Sequence, residues 1–270
     1  MRYLFLLLFS FGSFGIELKH PWVIYYGDSA PLEAFDPYDP IILQSEFAFA
    51  ADLAQNKTVL GYLNLGEAET ENPEFLEMQE KGLLIEENPD WPGSWKIDLR
   101  HSFWQSNILE KKIPALLQAG FNGLFLDQLD VVLDLEEKNP EKFKGMKEAA
   151  IWLVKEIRKQ FPEIKLMMNR GYEILPQVGR DIDYELAETL YTSYNFKTKR
   201  YYVRSKQEFE WQLAKLNAAR KTFPNLVYFS LDYWNSNDKK MLEKIYSVEL
   251  THSFRPYVSI ISLDKIVPAP

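Results

Sequence analysis

The chain has 270 residues, of which 46% are hydrophobic and 15% aromatic, so it is long enough to bury a large core. Its 31 basic and 39 acidic residues give a net charge of -8, which disfavours nucleic acid or an anionic membrane surface as the main partner. It contains no cysteine, which excludes disulfides, thiolate catalysis and cysteine zinc sites. No linker-like segment or change of composition marks a boundary, so a single domain is expected.

The first residues predict a secretory signal. A basic start at Met1-Arg2 precedes a uniformly apolar run over residues 3–9, and Ser13-Phe14-Gly15 offers a small-x-small cleavage site. The run is too short to span a bilayer as a mature helix, and the alternative is a buried amphipathic start. We therefore expect a signal peptide at residues 1–15 and an exported domain at 16–270, periplasmic or extracellular, without a membrane span.

Nine short apolar runs are typical of buried strands, and helical patterns separate them. They lie at residues 22–26, 41–44, 58–63, 95–99, 123–126, 165–168, 183–186, 226–229 and 257–260. Eight or nine strands that alternate with helices in a chain of this length predict an α/β protein, a single (β/α)₈ TIM barrel.

The helical segments support this interpretation. A helical pattern covers residues 103–119, although Pro114 should kink or split it. An apolar stripe at helical spacing runs from residue 143 to 161, where Pro162 ends it. Ser205 and Glu208 form a capping box ahead of a further helix.

The strand at residues 123–126 is the most informative, because two acids, Asp127 and Asp130, follow its apolar run directly. In a barrel of this type the carboxyl ends of the strands form the active-site mouth. Either acid alone could simply cap the next helix. Polar and aromatic residues also follow the other strands, however: Tyr26, Glu67, Asp98, Arg100, Asn169, Arg170, Tyr172, Glu188, Asp232 and Trp234.

A mouth that is rich in carboxylates and aromatic rings favours a sugar ligand. Sugars present apolar C–H faces that stack on aromatic rings and hydroxyls that need polar partners. Cleavage of the acetal bond needs two carboxyl groups, one protonated and one ionised. The alternative explanation of the cluster is a set of helix caps and ion pairs at the rim.

Other chemistries are disfavoured. His20, His101 and His252 are the only histidines, and none has metal-ligand spacing, so no metal is expected. The sequence has no Gly-x-Ser-x-Gly elbow, P-loop or dinucleotide fingerprint, so neither a serine hydrolase nor a cofactor is expected.

Four segments together resemble glycoside hydrolase family 114, the endo-α-1,4-polygalactosaminidase-like (β/α)₈ barrels. They are residues 62–69, 95–100, 120–130 and 168–171, and the similarity runs in matching order over residues 22–263. The family pattern Gly-Phe-Asp-Gly-x-x-x-Asp corresponds to residues 120–127, with Asn122 in place of the usual Asp. Asn122 lies at the entry of the strand, so little catalytic consequence is expected.

The resemblance implies hydrolysis of α-1,4-linked galactosamine or N-acetylgalactosamine polymers by an Asp and a Glu. The Asp corresponds to Asp127. The Glu corresponds best to Glu188, with Glu185 and Glu173 as alternatives. The remaining polar and aromatic residues of the mouth, together with Tyr194, would bind the sugar.

Three functions stay open from the sequence. The first is an exported glycosidase, expected as a monomer, that acts on an amino-sugar polysaccharide. The second is a catalytically inactive barrel that binds an exopolysaccharide during its assembly or export, since fold does not guarantee function. The third is hydrolysis of another glycan. The position of Asp127 relative to Glu188 across the mouth discriminates between the first two.

Overall fold

The structure is a computed structural model that describes residues 21–49 and 51–270. The predicted signal peptide at residues 1–15 lies outside this part of the chain. No helix among the described residues is both long and apolar enough to cross a membrane.

The described residues form thirteen strands in chain order. They are β1 (Val23–Tyr25), β2 (Ile41–Leu43), β3 (Val59–Asn64), β4 (Glu67–Glu69), β5 (Leu84–Glu87), β6 (Ser94–Ile97), β7 (Gly123–Asp127), β8 (Lys165–Asn169), β9 (Tyr184–Glu188), β10 (Thr192–Asn195), β11 (Arg200–Val203), β12 (Val227–Tyr233) and β13 (Arg255–Ser259). Eight of them pair in parallel in the order β1-β2-β3-β7-β8-β9-β12-β13 and form a nearly closed barrel. The (β/α)₈ prediction is confirmed.

Helices occupy the connections between the barrel strands. They are α1 (Ala51–Asn56), α2 (Phe75–Glu80), α3 (Ser102–Ser106), α4 (Ile113–Gln118), α5 (Leu129–Lys138), α6 (Met146–Gln160), α7 (Leu175–Val178), α8 (Lys206–Thr222) and α9 (Lys239–Thr251), with a 3₁₀ turn at Leu32–Phe35 and a π-helical segment at Asn107–Lys112. The capping box at Ser205 and Glu208 is present at the start of α8. Pro114 lies at the start of α4, where the predicted helix is split.

The apolar run at residues 95–99 is a strand, but it does not belong to the barrel. It is part of β6, the central strand of a small antiparallel sheet with β4 and β5, inserted between β3 and β7. A strand of the barrel wall is covered on both faces. In β6, by contrast, Trp95 and Lys96 are half-buried, and Lys96 forms an ion pair with Glu86 at 2.7 Å.

The seam of the barrel lies between β1 and β13, the two ends of the hydrogen-bonded order. The indole Nε1 of Trp22 donates a hydrogen bond of 2.9 Å to the carbonyl oxygen of Arg255 across this seam. The same ring packs against Phe229 and Tyr257, with centroids 5.3 and 5.4 Å away. One buried tryptophan therefore fills the interior and joins the first strand to the last.

Asn122, just before β7, is hydrogen-bonded to the backbone of α1, of β3 and of the turn between them. Its side-chain oxygen accepts a hydrogen bond from the Val59 amide at 2.8 Å, and its amide nitrogen donates to the carbonyl oxygens of Ala54 and Lys57, both at 2.8 Å. An aspartate could accept the first bond but could not donate the other two.

Replacement of Asn122 by Asp should therefore destabilise this chain, although Asp is the usual residue in the family pattern. We expect a loss of about 1–3 kcal/mol in the free energy of unfolding, because two partly buried carbonyl groups lose their donor. Urea denaturation at pH 7 measures it. The matched control is Asn139→Asp, because the Asn139 side-chain oxygen accepts a bond from the Lys142 amide that an aspartate can keep. Equal stability changes in the two variants would contradict this role of Asn122.

Candidate active site

Three neighbouring strands of the barrel end in polar residues that meet at the mouth. β7 ends at Asp127, β8 at Asn169 and β9 at Glu188. In each case the next residue has a left-handed backbone although it is not glycine, an uncommon conformation that is concentrated at functional sites. These residues are Gln128 (φ 66°), Arg170 (φ 56°) and Thr189 (φ 51°). The strands therefore stop directly after the polar side chains.

The turn at Gln128 is supported by Gly66. A Cβ atom at position 66 would lie 1.9 Å from the carbonyl oxygen of Gln128, so only glycine allows this approach. The Leu65 amide also donates to the carbonyl oxygen of Asp127 at 3.0 Å. The end of β3 thus fixes the backbone on both sides of the Asp127–Gln128 peptide.

A single amide group links the two carboxyl groups. The Nδ2 nitrogen of Asn169 donates to Oδ1 of Asp127 at 2.8 Å and to Oε2 of Glu188 at 2.7 Å. Because one nitrogen contacts both oxygens at these distances, Oδ1 of Asp127 and Oε2 of Glu188 lie no more than about 5.5 Å apart. The two carboxyl groups are therefore neighbours at the mouth.

Tyrosines complete the surroundings of the pair. Tyr233 OH donates to Oε1 of Glu188 at 2.6 Å, and Tyr62 lies near Asp127, whose charge adds to burial in raising the pKa of its phenol. The ring of Tyr26 lies 5.4 Å from that of Tyr62. Burial, reinforced by the charges of the two carboxyl groups, raises the pKa of all three phenols well above the usual value. They therefore stay neutral and serve as hydrogen-bond donors.

Asp127 can keep its proton near neutral pH. Burial, and then the charge of Glu188, raises the pKa of Asp127 to about 7, against the opposing effect of the Asn169 hydrogen bond. A carboxyl group that can supply a proton therefore lies beside a second carboxyl group, and acetal cleavage requires such a pair.

Asp130 and Arg170 lie beside this pair and form an ion pair of 3.2 Å. Two polar atoms here are buried without a hydrogen-bond partner in the described structure, namely Nε of Arg170 and Oδ1 of Asn169. One is a donor and the other an acceptor, so each lacks the hydrogen bond that a buried polar atom normally makes. The structure thus brings four predicted binding residues to the pair: Tyr26, Asp130, Asn169 and Arg170.

Two predicted site residues lie elsewhere, and the prediction for them is corrected. Glu67 is 2% exposed and accepts hydrogen bonds from Asn88 Nδ2 at 2.8 Å and Ser94 Oγ at 2.7 Å, so its oxygens are committed to the small sheet. Asp232 is fully buried and accepts bonds from the Tyr191 and Thr192 amides. Both carboxylates hold loop backbone or side chains in place and do not reach the mouth.

Asp98 and Arg100 form a contact of their own. Their ion pair measures 2.6 Å, and Arg100 also donates to the carbonyl oxygens of Lys142 and Lys144. Hydrogen bonding to Arg100 lowers the pKa of Asp98 despite partial burial. These residues tie β6 to the loop before α6, and the hydrogen bonds found in the described structure do not link them to Asp127.

The remaining predicted residues make no hydrogen bond to the carboxyl pair in the described structure. Tyr172 OH donates to Gln212 at 2.8 Å, so its hydroxyl is already used. Glu185 lies three residues before Glu188 on β9 and therefore points to the opposite face of the strand. Burial raises its pKa well above the usual value. Tyr194 lies on β10, and Trp234 directly follows β12.

The sequence analysis missed Tyr62 and Tyr233. Tyr233 and Asp232 are neighbours at the end of β12, and successive side chains of a strand point to opposite faces. Since β12 is buried on both faces, its composition did not reveal which of the two faces the barrel interior. Phe229 packs against Trp22 inside the barrel and lies on the same face of β12 as Tyr233. This contact shows that Tyr233, and not Asp232, faces the interior.

A barrel of this type with a carboxyl pair at the carboxyl end of its strands is typical of a glycosidase. Within residues 21–49 and 51–270, no group of three or more His, Cys, Asp or Glu side chains could hold a metal ion. The model of glycoside hydrolase family GH114 matches residues 14–270, and the chain belongs to this family. Its class is therefore that of a glycosidase.

Two curated relatives are uncharacterized proteins. One, from Deinococcus radiodurans, is 24% identical over 243 residues, which cover 87% of this chain and 75% of the relative. The other, MJ1477 of Methanocaldococcus jannaschii, is 28% identical over 134 residues, which cover 48% of this chain and 37% of the relative.

Two solved structures are similar in fold. The glycoside hydrolase domain of PelA from Pseudomonas aeruginosa has a TM-score of 0.81 at 20% identity, with 92% of this chain and 98% of that one covered. Ega3 of Aspergillus fumigatus, in complex with galactosamine, has a TM-score of 0.67 at 13% identity, with 93% and 95% covered. At these identities the likeness shows the shared fold alone.

The raised pKa of Asp127 makes stability depend on pH. Between about pH 4 and 7 the unfolded chain releases this proton while the folded chain keeps it, so the contribution to stability is lost as the pH rises. Replacement of Asp127 by Asn removes this loss. Relative to wild type, the variant should gain roughly 2–3 kcal/mol more stability at pH 8 than at pH 5.

Urea denaturation at the two pH values measures the difference. Asp134→Asn is the matched control, because Asp134 is an exposed acid on α5 paired with Lys138. The control should change stability equally at both pH values. The same pH-independent change in Asp127→Asn would show that Asp127 does not titrate near neutrality.

Proposed function

We propose that the protein is an exported glycosidase that cleaves α-1,4-linked galactosamine or N-acetylgalactosamine polysaccharide, with Asp127 and Glu188 as its catalytic carboxyl groups. One observation carries the proposal: the amide nitrogen of Asn169 donates to both carboxyl groups. The amide holds the two groups in one geometry.

The geometry supports hydrolysis with retention of configuration. Retaining enzymes have carboxyl groups roughly 5–5.5 Å apart, whereas inverting enzymes need roughly 6.5–9.5 Å to admit a water molecule. The upper limit of about 5.5 Å between Oδ1 of Asp127 and Oε2 of Glu188 favours the first range. In such a mechanism one carboxylate attacks the anomeric carbon while the other carboxyl group gives its proton to the departing glycosidic oxygen.

The second half of the reaction reverses these roles. The group that lost its proton takes one from water, and the resulting hydroxide displaces the carboxylate ester at the anomeric carbon. Tyr233 and Asn169 donate hydrogen bonds to Glu188 throughout, so they orient it and stabilise its charge. Asn169 and the Gln128 amide do the same for Asp127.

The amino-sugar specificity rests on the family and on the acceptors in the mouth. The carboxylate of Asp130 can accept hydrogen bonds from an amino or acetamido group. The net charge of -8 favours a cationic polymer such as galactosamine. Tyr26 and Arg170 would contribute further contacts to the bound sugar.

The carboxyl pair favours an enzyme over an inactive binding barrel. Two buried carboxyl groups held within about 5.5 Å of each other destabilise the fold when both are ionised, and sugar binding alone does not require them. Their presence is explained by a chemical step that needs both an acid and a carboxylate.

Asp127→Asn and Glu188→Gln should each reduce the release of oligosaccharides from α-1,4-linked galactosamine polymer at least about a thousandfold, because each removes one member of the pair. The measurement is reducing-end release by variants with wild-type circular dichroism. Asp134→Asn serves as the control and should keep wild-type activity. Substantial activity in either site variant would remove that residue from the mechanism.

The roles of the two residues are separated by azide rescue of Asp127→Ala and Glu188→Ala with an activated glycoside. The variant that lacks the nucleophile should give a glycosyl azide of inverted configuration, and the variant that lacks the acid and base should give the retained configuration. Mass spectrometry and NMR identify the products. The same configuration from both variants would contradict a division of roles between these two residues.

Export is proposed from the N-terminal residues. Expression of the full chain should give a secreted or periplasmic protein that begins at Ile16, because cleavage follows the Ser13-Phe14-Gly15 site. N-terminal sequencing checks the start of the exported protein. An intact N-terminus on a cytoplasmic product would contradict it.

A further inference from the structure

Gln212 is a fully buried polar side chain on the core-facing side of α8. It lies three residues after Phe209 and four before Leu216, and both of these pack against the core of the barrel. Residues three and four apart share one face of a helix, so an apolar side chain is expected at this position. A buried amide is unfavourable unless its donor and its acceptor are both satisfied, so the partners of Gln212 explain its presence there.

Both ends of the Gln212 amide bond to turns that leave the candidate active site. Its Oε1 accepts a hydrogen bond from Tyr172 OH at 2.8 Å, and its Nε2 donates to the carbonyl oxygen of Thr189 at 3.0 Å. Tyr172 lies three residues after Asn169, and Thr189 directly follows Glu188. Gln212 therefore connects the exits of β8 and β9, the strands that carry the bridging amide and one carboxyl group.

The turn at Thr189 needs such support. Thr189 has a left-handed backbone with φ 51°, which is strained for a β-branched residue and persists only where surrounding contacts hold it. Its amide donates to the carbonyl oxygen of Leu231 on β12 at 2.7 Å. Its own carbonyl oxygen accepts from Gln212 and from Nη1 of Arg204, the latter at 2.6 Å. Thr189 is thus held by β12 on one side and by α8 and the residue before its cap on the other.

The position of the Glu188 carboxyl group depends on this turn, because Glu188 is the last residue of β9. The carboxyl group accepts hydrogen bonds from Tyr233 OH at 2.6 Å and from Asn169 Nδ2 at 2.7 Å. Both distances are short, and a displacement of the strand end by about 1 Å would break at least one of the two bonds. The backbone that follows Glu188 must therefore be fixed as firmly as the side chain itself.

We propose that Gln212 is a positioning residue that holds the Glu188 carboxyl group beside Asp127 by fixing the left-handed turn at Thr189. It contacts neither carboxyl group and acts through the Thr189 carbonyl group. The inference deepens the proposed function and rests on it, since the separation of the two carboxyl groups decides the chemistry.

Gln212→Met tests this role, because methionine is also long and unbranched but has no amide. In the folded variant, kcat for oligosaccharide release from α-1,4-linked galactosamine polymer should fall at least about tenfold, while KM should change less than about threefold. A misplaced reacting group slows the chemical step without removing a contact to the substrate. The matched control is Gln207→Met, since Gln207 is an exposed glutamine on the same helix. The control should keep the wild-type kcat and KM.

A second measurement reports the position of Glu188 without relying on activity. Burial, and then the charge of Glu188, raises the pKa of Asp127. Displacement of Glu188 in Gln212→Met should therefore lower the pKa of Asp127 by at least about 0.5. NMR titration of carboxyl-labelled aspartate follows the change, and Asp127→Asn assigns the resonance. The other titratable groups near Asp127 lie on other elements, namely Asp130, Tyr26 and Tyr62.

Gln212→Glu is the conservative variant, and it decides the question if Gln212→Met does not fold. A protonated carboxyl group can accept from Tyr172 and donate to the Thr189 carbonyl oxygen, whereas an ionised one cannot donate. The ratio of its kcat to that of wild type should therefore approach one at acidic pH and fall as the pH rises. A ratio that does not change with pH would contradict the role of the donor.

A folded Gln212→Met protein with wild-type kcat and an unchanged pKa of Asp127 would overturn the inference. A loss confined to thermal stability would overturn it as well, because Gln212 would then be structural only. Absence of hydrolysis by the wild-type protein counts against the proposed function alone, since a lowered pKa of Asp127 in Gln212→Met would still support the positioning of Glu188.

Discussion

The amide of Asn169 is the interaction on which the candidate site depends. Two carboxyl groups within about 5.5 Å of each other in a buried mouth repel each other strongly once both are charged. Asn169 donates to both, and this offsets part of that repulsion and fixes their separation. It can do so only because β8 lies between β7 and β9 in the barrel. The parallel order of the strands therefore brings Asp127, Asn169 and Glu188 together.

The backbone around this interaction is strained in a consistent way. The residues that follow Asp127, Asn169 and Glu188 all have left-handed conformations, a state that is unfavourable for side chains with a Cβ. The rest of the barrel holds these turns, for example through the close approach of Gly66 to Gln128. A site with a raised pKa and strained turns lowers stability, and the apolar core of the barrel must compensate for it.

The sequence predicted the barrel and the carboxyl pair because both follow from local pattern. A short apolar run that ends in acids, such as residues 123–127, indicates a buried strand and its exit wherever it occurs. The same logic placed residues 95–99 in the barrel wrongly, because a short strand of a small covering sheet has the same local pattern. Only its partners, β4 and β5, distinguish the two.

Side-chain direction and long-range contacts were not accessible from local pattern. Glu67 and Asp232 were predicted to bind sugar, yet each is buried and holds an insertion, because strand register decides which face a residue occupies. The contact between Trp91 and Phe196 joins residues more than a hundred positions apart and leaves no trace in either neighbourhood.

The measurement that tests the central claim most directly is the configuration of the first-formed product from α-1,4-linked galactosamine polymer, followed by proton NMR before the anomers equilibrate. Retention through the pair of Asp127 and Glu188 predicts that the α-anomer appears first and the β-anomer only later, by mutarotation. Initial formation of the β-anomer would contradict the account, because inversion requires a wider separation than one bridging amide allows.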